Sequence, residues 1–353
     1  MQRDPALPPD PDGGWSSAVR QFQNAFVVPP DKDEPQPRSG VLSAQGAYVP
    51  RGATWRREVA ITLPPSPFET PCEQLSGRWL WGGTLFNHFG HFLTESTARL
   101  WALNPEHDGI IFVPRKGTSP DLNWYQTELL GLLVGNRPIR LIRTPMQVQN
   151  LDVPGQGVGL GRIAGGTAVY RDFISRNFAC DIRPEGPRNL FISRSGMSVK
   201  HGGFVGESIL DSRMSAAGYT IFHPERHSIA TQIARYRAAR RIVGFDGSAL
   251  HLLAMVARPD QEIAIILRRP AGKSSALRRQ MAAFTGRPAH LVHALPDAIQ
   301  MAVGKKHSIK ELDLLKIGQE LCAQGFIDAD QYWPALTETE SAAVDAQLED
   351  LEA

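Results

Sequence analysis

The chain has 353 residues, which favours two domains over one, because a domain commonly contains roughly 100–200 residues. Hydrophobic residues make up 42% of the sequence and charged residues 21%, a globular composition that excludes a disordered acidic chain. The formal net charge of +2 is too small to indicate a dedicated nucleic-acid binder.

Proline dominates the beginning of the chain, where 13 of the 27 prolines lie within the first 71 residues. A segment rich in Pro, Asp and Gly buries too little apolar surface to form a core of its own. Residues 1–40 are therefore predicted to form an extended arm. Residues 41–183 are predicted to form a first Rossmann-like domain. Its predicted strands are 78–81, 109–114 and 139–143, and its predicted helices are 89–102, 120–134 and 166–179.

The alternation of strands and helices is clearer after residues 181–189, whose two prolines and glycine indicate an interdomain linker. Strands that alternate with helices predict βαβ units and a parallel sheet in a second Rossmann-like domain, residues 184–300. The predicted strands are 189–194, 219–223, 241–245, 262–267 and 289–293, and the predicted helices are 206–217, 228–239, 248–257 and 275–285. Residues 301–353 are predicted to add a helix at 308–325 and a solvated acidic tail.

These elements predict an α/β protein in which two Rossmann-like α/β/α domains face each other across a cleft. In open α/β sheets, ligands bind outside the carboxyl ends of the strands. Candidate site residues are therefore expected at those ends, and two of the three motifs described below lie there.

The segment GGTLFNHFGHFLTESTARLW, residues 82–101, carries the densest set of candidate catalytic side chains. On a continuous helix, His91, Glu95 and Arg99 share a polar arc opposite the apolar residues, with His88 close by. His91 and Glu95 are i,i+4 neighbours, and a carboxylate beside a histidine suits a general base. An ordinary polar helix face and a metal site at His88, His91 and Glu95 are the alternatives, although the HExxH pattern is absent.

A second motif is the strand–turn–helix RIVGFDGSALHLLAM at residues 241–255, in which Asp246-Gly247-Ser248 forms the turn. Gly247 permits close backbone approach, Ser248 can cap the helix, and free N–H groups at the start of a helix attract phosphate. A plain βα turn is the alternative, since Asp-Gly-Ser is favourable turn chemistry.

A third motif is FISRSGMSVKHGGF, residues 191–204, where a strand ends in Ser193 and Arg194 and the following loop carries Lys200. Arginine and lysine that converge at the end of a strand suit a diphosphate, and a basic surface loop is the alternative. The string GLGRIA at 159–164 fits a loose dinucleotide fingerprint, but residues 150–158 before it form a poor candidate for a buried strand. A nicotinamide site is therefore not favoured.

Several motifs in order resemble glycosyltransferase family 61, over about residues 75 to 270. The first is NHFGHFLTE, from Asn87 to Glu95, and the second is Ile192-Ser193-Arg194. The others are GYTIFHPE from Gly218 to Glu225, the stretch from Ser228 to Ile233, and a run that ends in GSAL at Leu250. The resemblance implies a GT-B fold, a nucleotide-sugar donor that is usually a UDP-sugar, inversion at the anomeric carbon and no metal requirement.

The predicted site residues combine these motifs. The catalytic candidates are Glu95, His91 and His88; the donor-binding candidates are Ser193, Arg194, Lys200, Glu225, Asp246, Gly247, Ser248 and Ala249; and the acceptor-binding candidates are Asn87 and Arg99. Many members of the family carry a histidine before the Gly-Ser turn, where this chain has Asp246. A different role, such as binding a sugar hydroxyl, is therefore expected for Asp246.

We expect an inverting glycosyltransferase that transfers a sugar from a nucleotide-sugar to a hydroxyl of a bacterial surface-polysaccharide or glycolipid acceptor. In this mechanism Glu95 is the base, while Arg194, Lys200 and the amides after Asp246 stabilise the departing diphosphate. No cofactor, metal ion or nucleic-acid partner is expected. The alternatives are a non-catalytic carbohydrate-binding or assembly protein on the same fold, and a nucleotide-sugar-modifying oxidoreductase that only GLGRIA supports.

The expected location is the cytoplasm. Cys72, Cys180 and Cys322 lie more than a hundred residues apart and indicate no disulfide framework, which favours a reducing compartment. No apolar run approaches the roughly 20 residues of a membrane-spanning helix. A lipid-linked acceptor would then be met through transient contact with the inner face of the membrane.

Overall fold

A computed structural model of the chain divides into two compact units, Met1–Cys180 and Asp181–Ala353. The structure describes residues 8–32, 34–68, 72–115, 119–197, 204–268, 275–293, 310–328 and 333–352. Within these ranges, no helix is both long and apolar enough to cross a membrane.

The first unit is built on a six-stranded mixed sheet. Its strands are β1 (Val19–Val28), β2 (Gly40–Leu42), β5 (Glu73–Leu85), β6 (Gly109–Pro114), β7 (Ile139–Leu141) and β8 (Met146–Pro154), and β3 (Trp55–Arg56) and β4 (Val59–Ala60) form a separate hairpin. The spatial order is β2-β1-β8-β5-β6-β7. The last four strands in this order are parallel, and β1 is antiparallel to both β2 and β8. Every residue of β6 is buried, as expected for a strand covered on both faces.

Three helices of this unit are α1 (Phe89–His91), α2 (Trp124–Val134) and α3 (Ala168–Asn177). The predicted continuous helix over 89–102 is not formed. Instead α1 runs into a π turn, Phe92–Ser96, and a 3₁₀ turn follows at Leu100–Ala102. The hydroxyls of Thr94 and Thr97 donate to the carbonyls of Gly90 and Leu93, a side-chain pairing that bends helices.

The predicted extended arm over residues 1–40 is wrong for Val19–Val28. This segment, β1, pairs with β8 along its length, and Ala25 and Val27 are fully buried. The prolines before and after this segment suggested a region without a core, but the ten residues of β1 contain no proline. Their apolar end is buried because β8 supplies the partner strand.

The interpretation of residues 150–158 as a poor buried strand is also wrong, because β8 extends through Pro154 and buries Val148, Leu151 and Val153. The glycines that follow open only a 3₁₀ turn, Arg162–Gly165, and the α-helix α3 begins later, at Ala168. A Cβ on Gly159 would lie 2.6 Å from the Gln156 side chain, and one on Gly161 would lie 2.5 Å from the Cα of Arg57. Protein atoms therefore occupy the space that GLGRIA would need for a dinucleotide.

The second unit contains a five-stranded parallel sheet with helices between its strands. The strands of the unit are β9 (Asn189–Ile192), β10 (Phe204–Val205), β11 (Thr220–Phe222), β12 (Arg241–Phe245), β13 (Glu262–Leu267), β14 (His290–His293) and β15 (Lys310–Glu311). The helices are α4 (Glu207–Ala216), α5 (Ile229–Ala238), α6 (Ala249–Val256), α7 (Ser275–Thr285), α8 (Leu314–Ala323) and α9 (Glu338–Glu352). The predicted α/β class is confirmed.

The strand order of this sheet is β11-β9-β12-β13-β14. The first strand of this sheet, β9, is thus followed by β11 on one of its sides, and the chain then crosses to β12 on its other side. A doubly wound sheet has its topological switch point where the winding reverses, here between the carboxyl ends of β9 and β12. Ligand-binding residues are expected at this place.

The acidic tail is not simply solvated. Glu340 on α9 accepts two hydrogen bonds from the guanidinium of Arg213, at 3.1 and 2.8 Å, which hold the pKa of Glu340 at about 2. Val344 is buried, and Trp333 packs in the same hydrophobic cluster. The acidic composition of this segment gave no indication of these contacts, which pack α9 against the rest of its own unit.

Candidate functional site

Glu95 lies within the π turn, and its buried carboxylate forms an ion pair with the half-buried side chain of Arg56. The Nε and Nη2 atoms of Arg56 each donate to one carboxylate oxygen of Glu95 at 2.7 Å, which is the bidentate geometry of a strong arginine–carboxylate pair. Nδ1 of His91 lies 3.1 Å from the oxygen that also contacts Nη2. The side chain of Glu95 is 0% exposed, whereas that of His91 is 31% exposed.

The protonation state of Glu95 follows from these contacts. Burial alone would raise the pKa of Glu95, but the two hydrogen bonds from Arg56, together with the imidazole of His91 beside the carboxylate, outweigh it and lower the pKa. A carboxylate that is held ionised by two partners and has no exposed surface is a poor proton acceptor for an external hydroxyl. His91 is the member of this cluster that combines a ring nitrogen with exposed surface.

Two further predicted residues lie at the exposed rim of the same segment. Asn87 and His88 are both exposed. The ring centroids of His88 and His91 are 4.9 Å apart, and that of Phe86 is 5.9 Å from His91. The structure therefore brings the predicted catalytic candidates together, beside one predicted acceptor-binding residue.

Arg99, the other predicted acceptor-binding residue, is misassigned. Its side chain is fully buried and donates to the carbonyls of Arg51 and Ala53 at 3.1 and 2.5 Å. Burial lowers the pKa of Arg99 to about 9. The error arose from the continuous-helix assumption, because the π turn changes the direction in which later residues point. Arg99 anchors the turn around residue 52 and is not available to a substrate.

Arg56 is the residue that the sequence analysis missed in this unit. It lies on the β3–β4 hairpin, 39 residues before its partner Glu95. Gln156 holds the hairpin by accepting from the N–H of Trp55 and donating to its carbonyl, both at 2.8 Å. Two-residue strands carry no periodic signal, so this pairing had no signature in the sequence.

The alternative of a metal site at His88, His91 and Glu95 is not favoured by these contacts. Both oxygens of Glu95 already accept hydrogen bonds from a guanidinium, and a metal ion there would lie beside that positive charge. In the ranges that the structure describes, no group of three or more His, Cys, Asp or Glu side chains has an arrangement that could hold a metal ion.

In the second unit, two predicted donor-binding segments meet at the switch point. Ser193 and Arg194 follow β9, and Asp246-Gly247-Ser248 follow β12. A Cβ on Gly247 would lie 3.2 Å from Nη1 of Arg194, so the guanidinium rests on the backbone of this turn. The absence of a side chain at residue 247 permits this close approach.

The turn after β12 leads into α6, whose first turn contains Ala249 and no acidic residue. Ser248 is in a helical conformation and its side chain makes no cap, contrary to the predicted role. By contrast, the nearby helix α4 begins with the acidic, buried Glu207. The amino end of α6 is therefore the better place for an anion, because its amides carry the positive end of the helix dipole and its first turn contains no acidic residue.

Arg268 is a second basic residue at this edge that the sequence analysis did not select. It follows β13 and donates from Nε to the carbonyl of Asp246 at 2.9 Å. Burial raises the pKa of Glu207, while Arg194 and Arg268 act in the opposite direction. A signal was present, since Arg268 directly follows a predicted buried strand. Arg194 and Arg268 therefore both act on one carboxyl group near the switch point.

The remaining donor-binding candidates are placed as follows. Asp246 is buried, and its N–H donates to the carbonyl of Ile266 at 2.9 Å; binding of a sugar hydroxyl by Asp246 stays a prediction. Glu225 lies after β11, and a Cβ on Gly196 would be 2.5 Å from its Oε1, so the loop after Arg194 approaches Glu225 closely. Lys200 lies outside the described residues.

Residues 89–264 match the family model described as Glycosyltransferase 61. This match confirms the resemblance indicated by the ordered motifs. No curated protein matches the chain. Similar solved structures include the bacterial iron-containing dodecameric glycosyltransferase TibC from enterotoxigenic E. coli H10407, with 11% identity and a TM-score of 0.28 over 75% of this chain and 81% of that chain. A likeness of that extent carries no conclusion about this chain.

Replacement of Arg56 by alanine should reverse the pH dependence that Glu95 gives to stability. In the parent the pKa of Glu95 is lowered, so its contribution is present above its usual pKa and is lost as pH falls. Without Arg56, burial should raise the pKa of Glu95. The destabilisation caused by its buried charge should then decrease as pH falls, because the carboxylate becomes protonated. We expect a loss of about 2–4 kcal/mol in the free energy of unfolding at pH 7, and a smaller loss near pH 5.

Urea unfolding at both pH values checks this expectation. The control is the double variant Arg56→Ala/Glu95→Gln, which removes the buried charge and should recover part of the loss at pH 7. A loss for Arg56→Ala that is equal at pH 7 and pH 5 would contradict the account of the ion pair.

Proposed function

Since the chain carries a glycosyltransferase 61 domain, we propose that it is an inverting enzyme that transfers a sugar from a UDP-sugar to a saccharide hydroxyl. The observation that carries the proposal is the guanidinium of Arg194 on the backbone of Gly247, at the switch point of a parallel sheet. Such a place suits a nucleotide diphosphate.

The second unit would supply the electrostatic part of the reaction. One further negative charge develops on the diphosphate as its bond to the sugar breaks. Arg194, Arg268 and the first amides of α6 offer fixed positive charge and hydrogen-bond donors to it. Preorganised groups of this kind commonly supply the largest share of transition-state stabilisation.

The first unit would supply the proton acceptor, and its geometry favours His91 over Glu95 for that role. Glu95 is buried and held by Arg56, so it is suited to orient the imidazole through Nδ1 and to stabilise the imidazolium. In the proposed step the acceptor hydroxyl gives its proton to His91, its oxygen forms a bond to the anomeric carbon, and the bond from that carbon to the diphosphate breaks. Attack from the opposite face inverts the configuration.

The proposed acceptor is a saccharide of a bacterial surface polysaccharide or glycolipid, as the motifs first implied. We further propose a cytoplasmic enzyme that meets lipid-linked acceptors through transient contact with the membrane. A non-catalytic carbohydrate-binding protein on the same fold would bind nucleotide or saccharide without turnover, so the kinetic experiments below separate the two. Binding of NAD in place of UDP would support the oxidoreductase instead.

Arg194→Ala should weaken the binding of UDP by roughly 10- to 100-fold, because a hydrogen bond to a charged group contributes roughly 1.5–3 kcal/mol. The loss should be equal for UDP and for a UDP-sugar, because the contact is to phosphate. Isothermal titration calorimetry measures both affinities. Arg240→Ala is the control, since Arg240 precedes β12 at the other end of the sheet and pairs with Asp260. A variant that binds UDP as tightly as the parent would remove Arg194 from the site.

His91→Ala and Glu95→Gln should each lower transfer by at least about 10²-fold and leave the affinity for UDP unchanged, since neither touches the donor phosphates. The measurement is release of UDP from a panel of UDP-sugars in the presence of saccharide acceptors, with UDP affinity measured in parallel. Full turnover by both variants would show that the pair has no part in the chemistry. Full turnover by His91→Ala with loss in Glu95→Gln would return the base to Glu95.

Transfer should persist in excess EDTA, because basic side chains and helix amides can neutralise the diphosphate without a divalent ion. Rates with EDTA, with magnesium and with manganese should differ by less than about twofold if charge stabilisation comes from the protein. Loss of turnover in EDTA that one metal restores would refute metal independence.

A further inference from the structure

Trp124, the first residue of α2, is the most exposed aromatic side chain among the described residues. It is 57% exposed, and the other exposed large apolar side chains of the described chain are the valines 19, 59 and 169. An exposed indole offers a flat apolar face of a size that a small ligand can cover. Trp124 lies on α2, a helix that is hydrogen-bonded to the segment of His88 and His91.

The start of α2 is fixed to the segment that carries the catalytic candidates. Asn123 and Gln126 form a reciprocal capping box, with bonds of 3.1 and 2.9 Å. Nε2 of Gln126 also donates to the carbonyl of Phe86 at 3.0 Å, and the hydroxyl of Tyr125 donates to the carbonyl of Asn87. Two consecutive residues of α2 thus bind two consecutive carbonyls that precede His88.

Ring contacts continue this attachment. Tyr125 meets Phe89 edge to face at 5.2 Å and Phe92 at 5.9 Å between centroids. Trp124 packs perpendicular to Tyr125 at 5.8 Å. The indole is therefore carried by a helix rather than by a loop, and Tyr125 lies between it and Phe89.

We propose that Trp124 is the stacking platform of a saccharide subsite for the acceptor, next to the rim formed by Asn87, His88 and His91. A pyranose ring has an apolar C–H face and an edge of hydroxyls. An indole covers such a face and loses little conformational entropy, while an exposed amide and imidazole beside it can bond the hydroxyls. This inference rests on the proposed function and adds the class of acceptor group that the site contacts.

The size of the apolar surface favours a sugar over a protein partner. One indole is about as large as one sugar ring, whereas specific protein interfaces bury roughly 800 Å² on each partner. Because Tyr125 separates Trp124 from Phe89, the stacked sugar would not be the one whose hydroxyl meets His91 but a neighbour of it. The contact should therefore matter for disaccharides and longer acceptors and not for monosaccharides.

The experiment compares Trp124→Ala, Trp124→Phe and the control Val169→Ala, which truncates an exposed apolar residue in the first turn of α3. Binding is measured on an array of defined mono- and oligosaccharides, with affinities of the hits determined by calorimetry. We expect Trp124→Ala to weaken oligosaccharide binding by at least about tenfold, the scale of a buried aromatic contact, and Trp124→Phe to keep most of it. Monosaccharide binding, UDP binding and the melting temperature should not change.

Unchanged oligosaccharide binding by Trp124→Ala would overturn the subsite. So would a parent protein that binds UDP but no oligosaccharide of the array. Both results leave the transferase proposal intact, because UDP binding and its dependence on Arg194 are measured separately. A parent that binds oligosaccharides through Trp124 but does not bind UDP would support the subsite and refute the proposed transfer reaction.

Discussion

The ion pair between Arg56 and Glu95 is the interaction on which the first unit's candidate site depends. A buried carboxylate without a partner is strongly unfavourable, so Glu95 can lie inside only because the β3–β4 hairpin delivers a guanidinium to it. Gln156 fixes that hairpin to the loop after β8. The orientation of His91 therefore depends on the π turn, the β3–β4 hairpin and the loop after β8. A change in any of them would alter the position of Glu95 and with it that of the imidazole.

The second unit places its charges according to a different constraint, the topology of the parallel sheet. The winding reverses between β9 and β12, which leaves a crevice at their carboxyl ends. Arg194 follows β9 and Gly247 follows β12, so both residues lie at this crevice. The contrast between the two helices at this edge has a physical consequence. Glu207 occupies the start of α4, whereas the first turn of α6 contains no acidic residue, so the start of α6 is the stronger candidate for an anion.

Sequence patterns predicted the second unit well because its central strands are buried apolar runs that alternate regularly with helices. The bounds of β12, β13 and α7 agree with the prediction to the residue. The first unit was predicted less well, since β1 and β8 depend on a pairing between distant residues that no local pattern contains. The same limit applies to the site: His91 and Glu95 share a helix turn and were found, whereas Arg56 and Gln156 act from a distance and were not.

The π turn explains why one short segment holds buried charges of both signs. A regular helix would place His91, Glu95 and Arg99 on one polar face. The wider turn at Phe92–Ser96 keeps the first two together, and Arg99 enters the interior on the far side. There the guanidinium contacts two backbone carbonyls, and burial lowers its pKa. Anion and cation are thus each bound by a different partner, and Arg99 cannot take the place of Arg56. This separation keeps Glu95 available to one guanidinium and one imidazole, and of the two side chains in the His91–Glu95 pair only the imidazole has exposed surface.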